Sequence, residues 1–425
     1  MHRSGFHLLR TRRFGPLFLT QFLGAFNDNL YRTAMLFLIA YQVVPGDVAA
    51  AGTWAAVAGA VYVLPYFLFS SVAGELADRI DKARLARLLR AGDLAVMLVG
   101  AFALTAASVP LLMIVLFCTG TRGVFFGPLK FSILPQHLAP GELLGGTGLM
   151  QASGFLAVLG GQIAAGLLPY RVTASLLVVV AALALVSACA IPAASAPRPD
   201  LRIRRNLAAG MFDLARSAAG QKRLFGAILG ISWFYALAAL FTSQFPSLVA
   251  NVIGARESVG ALFLAAFSIG MAAGAIGVGR LLKGRISARF VPLSALALSL
   301  FTIDLWLATS GMSPGATRIG PAEFLARPAS WRLLFDLFAI AASAGVFAVP
   351  LYAVLQTAGD ASRRARDVAA NNLVNAATVV AAALLAGTLF ALGGSIPVLF
   401  LALSLITLGV AAFAWRNSRI PRDRS

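Results

Sequence analysis

Residues 123–136 read GVFFGPLKFSILPQ, and residues 345–356 repeat much of this pattern as GVFAVPLYAVLQ. Each stretch closes the fourth apolar segment of its half of the chain. A second matched pair joins the second and third segments of each half: GELADRIDKAR at 74–84 and GRLLKGRISAR at 279–289. Two matched pairs at equivalent places are unlike chance similarity between apolar helices. We therefore interpret the chain as two repeats that run in the same direction.

The composition indicates a protein that is dissolved in lipid. Hydrophobic residues make up 59% of the chain, charged residues only 12%, and the mean hydropathy is +0.84, whereas a soluble domain carries roughly 25% charged residues. The formal net charge of +19 does not indicate nucleic acid, because the bases lie between apolar runs. No nucleophile motif, phosphate-binding loop or metal-ligand spacing occurs. The sequence thus predicts no catalytic residues, no cofactor and no metal.

The apolar runs predict an all-α membrane protein with twelve transmembrane helices. A span needs about 20 apolar residues, and the first run is too long for a signal peptide. The predicted spans are 14–43, 52–76, 91–109, 111–136, 142–168, 172–194, 223–251, 257–282, 290–310, 332–357, 367–390 and 394–415. The basic segment between the sixth and seventh spans predicts two six-helix bundles, 1–194 and 223–425, joined by a linker at 195–222.

The bases lie mainly at one end of these spans. They concentrate before the first span, after the last, and in every second connection, for example at 79–90, 280–289 and 363–366. The alternate connections hold only Arg171, Arg256, Arg318, Arg327 and Arg332. Because cytoplasmic loops are enriched in Lys and Arg, we expect both termini to be cytoplasmic.

Two motifs resemble a known transporter family. GELADRIDKAR fits the G-x-L-x-D-R-x-x-x-x-R loop of the major facilitator superfamily, and FLTQFLGAFNDNLYRTAMLFLIAY at 18–41 looks like the opening of bacterial lysophospholipid transporters. It looks closest to the transporter module that some bacteria fuse to an acyltransferase and an acyl-carrier-protein ligase. GPLKFSILPQ, ISWFYALAALFTSQFP, VPLYAVLQ and ANNLVNA extend the resemblance.

The resemblance implies a function and partners. We expect the major facilitator fold, the bacterial cytoplasmic membrane, and inward flipping of lysophospholipids such as lysophosphatidylethanolamine by alternating access. A separate acyltransferase or ligase is the expected functional partner, and a monomer is expected. Two alternatives remain: proton-coupled efflux of an amphiphile with Asp28 as the proton carrier, and a platform for an acyltransferase that transports nothing.

Asp28 lies near the middle of the first span, in QFLGAFNDNLYR, beside Asn27 and Asn29 and one turn before Arg32. An acid at a helix centre costs roughly 2.5–3.5 kcal/mol on insertion, and such residues usually face a polar path or a partner. In one interpretation Asp28 lines the path of the substrate. In the other it pairs with Arg32 or another base and locks the bundle.

The fourth span supplies two bases that suit a phosphate. Lys130 follows Pro128, and its equivalent in the second repeat is Tyr352. Together, Asp28 and Lys130 are predicted to bind the ammonium and phosphate of an ethanolamine headgroup, unless Lys130 instead extends to the membrane interface. Arg122, two turns away, is either the partner of Asp28 or a second phosphate contact.

Several amides complete the predicted substrate path, with a cytoplasmic latch beside it. Gln151 and Gln162, and Asn371, Asn372 and Asn375, either line the cavity or hydrogen-bond between helices. The superfamily motif predicts a conformational latch at Gly74, Asp78, Arg79 and Arg84, with a solvated loop as the alternative. Asp304 and Asp336 are expected to pair with Arg332 or other bases of the external loops.

Overall fold

A computed structural model describes residues 5–44, 48–201, 207–312, 318–358 and 360–418. The described residues form fourteen α-helices. Their bounds are α1 Gly15–Leu38, α2 Val48–Arg79, α3 Lys82–Thr105, α4 Val109–His137, α5 Pro140–Leu167, α6 Tyr170–Cys189, α7 Leu207–Ala219, α8 Lys222–Leu248, α9 Glu257–Leu281, α10 Val291–Ser310, α11 Pro321–Ala326, α12 Pro328–Thr357, α13 Arg364–Ala391 and α14 Ile396–Ser418.

Eleven of these helices are long and apolar enough to cross a membrane, namely all except α1, α7 and α11. Helix α1 has 24 residues, which is about 36 Å and enough to span a bilayer. Its polar residues interrupt the apolar run, but it packs between α5 and α6. It therefore completes the twelve spans that the sequence predicts.

The third span begins earlier than the sequence suggests. Asp81 caps α3 by accepting a hydrogen bond from the backbone N–H of Arg84 at 2.9 Å, and the helix runs from Lys82. Its first three turns are basic and not apolar, so the hydropathy pattern misses them. Arg90, which the charge pattern groups with the connecting loop, lies inside the helix and is fully buried.

The two halves repeat the same packing. In the first half α1 packs on α5, α2 on α4 and α3 on α6; in the second half α8 packs on α13, α9 on α12 and α10 on α14. Helices α1 and α8 both continue into a π-helical turn, at Ile39–Val43 and Val249–Ile253. These equivalences confirm the duplicated six-helix architecture.

The halves meet at the end of the bundle where the arginine-rich connections lie, which we call the basic end. Across it α5 packs on α9, and α13 packs on α2 and α4. Thr147 and Gln356 exchange hydrogen bonds of 3.1 and 3.4 Å, and the rings of Phe131 and Tyr352 stack with centroids 4.4 Å apart. The basic end is thus closed. Its orientation toward the cytoplasm remains a prediction from the charge bias.

The connection between the halves is ordered where the structure describes it. Ala194 donates a backbone hydrogen bond to Asp81 at 2.8 Å, and Arg198 donates one to the Asp78 carbonyl at 3.0 Å. Helix α7 then packs against α2 and α13. Residues 202–206, 313–317 and 419–425, which hold parts of the predicted linker, the long loop and the basic C-terminus, lie outside the described residues. The proposed limits of the two halves remain a prediction.

A close helix crossing inside the second half gives a test of the packing. A β-carbon at Gly274 of α9 would collide with the backbone carbonyl of Ala342 in α12, whereas one at Gly277 would meet nothing within 4 Å. We expect Gly274→Leu to destabilise the protein by about 1–3 kcal/mol and Gly277→Leu to leave stability near wild type. Thermal unfolding of the purified proteins in detergent measures this. Equal melting temperatures for the two variants would contradict the crossing.

Candidate functional site

The carboxylate of Asp28 is paired with Arg122. A terminal nitrogen of the Arg122 guanidinium donates to Asp28, and its Nε lies 3.2 Å from Asp93 of α3. The side chains of Arg122 and Asp28 are only 8% and 13% exposed. Of the bases that the sequence left open as partners for Asp28, the structure therefore brings Arg122, and not Arg32 or Lys130, to the carboxylate. The Arg32 guanidinium instead lies 5.3 Å from the ring centroid of Tyr62.

A second ion pair extends this contact into α3. Arg90 donates to Asp93 at 2.9 Å and to the carbonyl oxygen of Thr20 in α1, also at 2.9 Å. Its guanidinium lies 4.5 Å from the ring centroid of Phe126. We call Asp28, Arg122, Asp93 and Arg90 the buried quartet. Two carboxylates and two guanidiniums give it no net charge, as burial in a low-dielectric environment requires.

Sequence reasoning missed half of the quartet. Arg90 was assigned to the connecting loop, and Asp93 was not considered. Their spacing carried a usable signal, because an acid and a base three residues apart face the same side of a helix. Asp93 also stands at the start of an otherwise apolar run. Such an acid is expected to have a partner inside the bundle.

Lys130 lies next to the quartet but is not part of it. Helix α4 continues through Pro128 and Pro135 to His137, so Lys130 lies inside the helix. It is about 12 Å along α4 from Arg122, and its charge interacts with Arg122, Arg90 and Asp28. Among the described residues it makes no hydrogen bond and no ion pair.

Two asparagines of α1 serve packing. The Asn27 amide donates to the carbonyl oxygen of Leu177 in α6 at 3.0 Å, and Asn27 is fully buried. Asn29 donates to Ala25, one turn earlier in the same helix, at 2.8 Å. The structure therefore does not bring Asn27 to the quartet, because it lies on the α6 side of α1 while Asp28 lies on the α4 side.

The second half presents uncharged polar groups and aromatic rings. Tyr352 donates to the Tyr235 hydroxyl at 3.2 Å, and Ser232 donates to Asn375 at 2.7 Å. Gln151 of α5 lies close to the Tyr235 hydroxyl. Asn371 is fully buried, and neither atom of its amide has a hydrogen-bond partner in the described structure. We call the face formed by Tyr235, Tyr352, Asn371 and Asn375 the neutral face.

The two remaining amides lie apart from this face. Asn372, also on α13, approaches Gly127 of α4 across the interface between the halves. Gln162 of α5 is partly buried, and its amide oxygen has no hydrogen-bond partner among the described residues.

Only some residues of the predicted latch lie at the contact between the halves. Asp78 is fully buried, accepts a hydrogen bond from the Ala365 backbone at 3.2 Å and lies 3.5 Å from Arg366 Nε. Gly74 packs directly against Arg366. The side chains of Arg79 and Arg84 are exposed. The base opposite Asp78 is thus supplied by α13 of the other half.

The remaining acids form a separate group near the other end of the bundle. Arg332 donates to Asp304 at 2.5 and 3.0 Å, and both side chains are about half exposed. This is the pairing that the sequence suggested, and Asp336 lies beside it, buried. Within the described ranges, no three His, Cys, Asp or Glu side chains are grouped to hold a metal ion.

The quartet predicts a specific pattern of stability. Arg122→Gln leaves two buried carboxylates to share Arg90, so we expect a loss of about 3–5 kcal/mol. The double variant Asp28→Asn with Arg122→Gln retains the neutral Arg90–Asp93 pair and is expected to unfold at a higher temperature than Arg122→Gln alone. Thermal unfolding in detergent checks this order, with Asp304→Asn, at an exposed pair, as the control that changes little. Additive losses at Asp28 and Arg122 would contradict it.

Comparison with known proteins assigns the family. A family model for the Major Facilitator Superfamily matches residues 17–322. The lysophospholipid transporter LplT of Photorhabdus laumondii is 26% identical over 360 residues, which cover 83% of this chain and 81% of that protein. LplT of Serratia proteamaculans is 27% identical over 365 residues, covering 83% and 82%.

Solved structures share the fold at low identity. The human organic anion transporter MFSD10 superposes with a TM-score of 0.71 at 15% identity, covering 96% of this chain and 99% of that one. The transporter FucP in its outward conformation gives 0.70 at 13%, with the same coverage. The family model spans nearly three quarters of this chain. The protein, a multi-pass inner-membrane protein and a transporter rather than an enzyme, therefore belongs to the major facilitator superfamily.

Proposed function

We propose that this protein is a secondary transporter that moves lysophospholipids, of the lysophosphatidylethanolamine type, inward across the cytoplasmic membrane by alternating access. The observation that carries the proposal is that two cations, Lys130 and Arg32, lie on either side of the neutral quartet. Neither has an acidic partner among the described residues. The names of the similar bacterial transporters support the substrate class. A single chain supplies both walls of the site, which is consistent with a monomer.

The charges of the site suit a phosphate. The quartet is neutral, and Lys130 and Arg32 have no acidic partner among the described residues, so the net charge at the site is positive. A lysine ammonium is a compact point charge that binds phosphate well. Oδ1 of Asp28 accepts no hydrogen bond from the described residues. We propose that this oxygen accepts the ammonium of an ethanolamine headgroup.

The positions of the two cations along the membrane suggest two successive phosphate contacts. Arg32 is one turn from Asp28 toward the end opposite the basic end, and Lys130 is about two turns from Arg122 toward the basic end. A headgroup that enters from the end opposite the basic end meets Arg32 first and Lys130 later. The neutral face of the second half offers hydroxyls and amides to the glycerol part of the lipid.

The acyl chain needs an apolar route beside this polar path. Away from the basic end, α2 and α13 leave apolar side chains uncovered: Val57 is 40% exposed, Leu384 68% and Leu385 70%. Both helices are rich in alanine there. We propose that the acyl chain stays between α2 and α13 while the headgroup enters the site.

The closed basic end is one of the states that inward transport by alternating access requires. If this end faces the cytoplasm, as the charge bias predicts, the structure is the state that is closed on the cytoplasmic side. Contacts such as Asp78 with Ala365 would then break when the lipid is delivered inside. Re-acylation by a cytoplasmic acyltransferase would consume the product and maintain the gradient, and this enzyme is the functional partner that we propose.

Uptake of labelled lysophosphatidylethanolamine into proteoliposomes tests the substrate and the role of Lys130. We expect Lys130→Ala to reduce uptake by about tenfold or more, since a charged hydrogen bond contributes about 1.5–3 kcal/mol, with an unchanged melting temperature because Lys130 forms no ion pair. The matched control is Arg87→Ala, an exposed base at the basic end. Uptake by the Lys130→Ala variant at the rate of the wild type would refute the phosphate contact. Absence of uptake by the wild type would refute the substrate, and collapse of transport on dissipating the proton gradient would favour the efflux alternative.

Labelling of a buried cysteine tests the latch. Ala353 of α12 is fully buried near the basic end, so Ala353→Cys in a background with Cys118 and Cys189 replaced by serine reports opening of that end. We expect Asp78→Asn to raise its rate of maleimide labelling from the basic side by about tenfold, because a buried charged contact between the halves is lost. Arg79→Ala, at an exposed side chain, is expected to leave the rate unchanged. Equal effects of both substitutions would contradict the assignment.

A further inference from the structure

A groove lies on the outside of the first half, and no residue of the quartet lines it. It has a volume of about 610 Å³ and is bounded by the turn Gly5–Arg10, the start of α1 and the last turns of α6. Its lining includes Arg10, Arg12, Phe18, Leu19, Val186 and Ser187. Every lining residue belongs to the first half, so rocking of the two halves does not open or close it.

Two unpaired bases line one wall of this groove. The neighbouring Arg13 donates to Glu142 at 2.6 Å and is thereby neutralised. Arg10 and Arg12 are exposed, and among the described residues they make no hydrogen bond and no ion pair. They lie just before the first turn of α1, which is the depth of the phosphate groups of a bilayer. The wall therefore presents two positive charges at the level of the lipid headgroups.

The other wall is apolar and faces the hydrocarbon. Leu19 is 46% exposed and Val186 is 68% exposed, both on helices that cross the membrane. Apolar side chains that are exposed on such helices contact lipid tails. Ser187 donates to the carbonyl oxygen of Pro16 at 2.9 Å and joins α6 to α1 at the back of the groove. A headgroup can thus bind at the bases while its acyl chain continues along the apolar wall.

We propose that this groove is a binding site for an anionic phospholipid of the leaflet at the basic end. Arg10 and Arg12 bind the phosphate, and Leu19 and Val186 contact the first part of an acyl chain. Both the charge and the amphipathic shape favour a lipid over a free anion, which would leave the apolar wall uncovered. The volume lies within the usual range of ligand pockets. A lipid bound here braces α1, which carries Asp28, against α6.

Native mass spectrometry and thermal unfolding of the full-length protein in detergent test the site. Dioleoylphosphatidylglycerol is the anionic probe, and dioleoylphosphatidylcholine and inorganic phosphate are the comparison ligands. We expect the wild type to retain phosphatidylglycerol in preference to phosphatidylcholine and to melt at a higher temperature in its presence. Arg10→Ala with Arg12→Ala is expected to weaken binding about 30-fold, because each base near the surface contributes about 1 kcal/mol.

A second variant removes the shape of the groove and keeps its charge. Val186→Trp fills the groove and is expected to abolish retention of the lipid. Val179→Trp, two turns earlier on α6 and 53% exposed, is the matched control and should bind as the wild type does. The control for charge is Arg87→Ala with Arg223→Ala, two exposed bases at the same end. Melting temperatures without added lipid verify that each variant is folded.

Three results would overturn the proposal. Unchanged retention in the Arg10 and Arg12 variant would exclude a role for these bases. An equal loss in the Arg87 and Arg223 variant would show diffuse attraction to a basic surface. Stabilisation by inorganic phosphate to the same degree as by phosphatidylglycerol would identify an anion site at the helix start and not a lipid site. If the double variant fails to fold, Val186→Trp alone decides the question.

Discussion

The position of Arg122 between Asp28 and Asp93 is the contact on which the first half depends. Lipid offers no water to a charged side chain, so each acid in the bundle must find a base within a few ångströms. Arg122 meets this requirement for two acids on two different helices, and Arg90 balances the remaining charge while it binds α1 through the Thr20 carbonyl. These contacts fix α1, α3 and α4 to one another. Asp28 and Arg32 of α1, which we propose to contact the substrate, are held in place as a consequence.

The two halves contribute different chemical groups to the site. The first half carries the ionic groups as a rigid unit, and the second half faces it with hydroxyls, amides and rings. Apart from the contact of Asp78 with Arg366, the contacts described between the halves at the basic end are uncharged, such as the stack of Phe131 on Tyr352 and the Thr147–Gln356 hydrogen bonds. None of these contacts involves a residue of the quartet, so the halves can part without breaking its ion pairs. Lys130 lies outside the quartet, and we propose that it binds the phosphate of the substrate.

Much of the fold could be predicted from the sequence, because helix length, apolar runs and the two matched motif pairs are local features. The site could be predicted only in part. The sequence marked Asp28, Arg122 and Lys130 as unusual, but pairing is decided by how α1, α3 and α4 cross. It also misplaced Arg90, since a basic helix start looks like a loop to a hydropathy window. Asn27 looked like a path residue because its neighbour is charged, yet its direction around α1 points to α6.

The polar sequence of α1 has a consequence for how the protein is made. Its acid is neutralised by Arg122, which lies 94 positions later in the chain. When α1 leaves the ribosome, the segment that carries Arg122 has not yet been synthesised, and α1 is less apolar than the eleven helices of the described set that qualify as spans by length and composition. The ion pair between Asp28 and Arg122 can therefore form only after α4 has been synthesised, which makes it a late contact in the assembly of the first half.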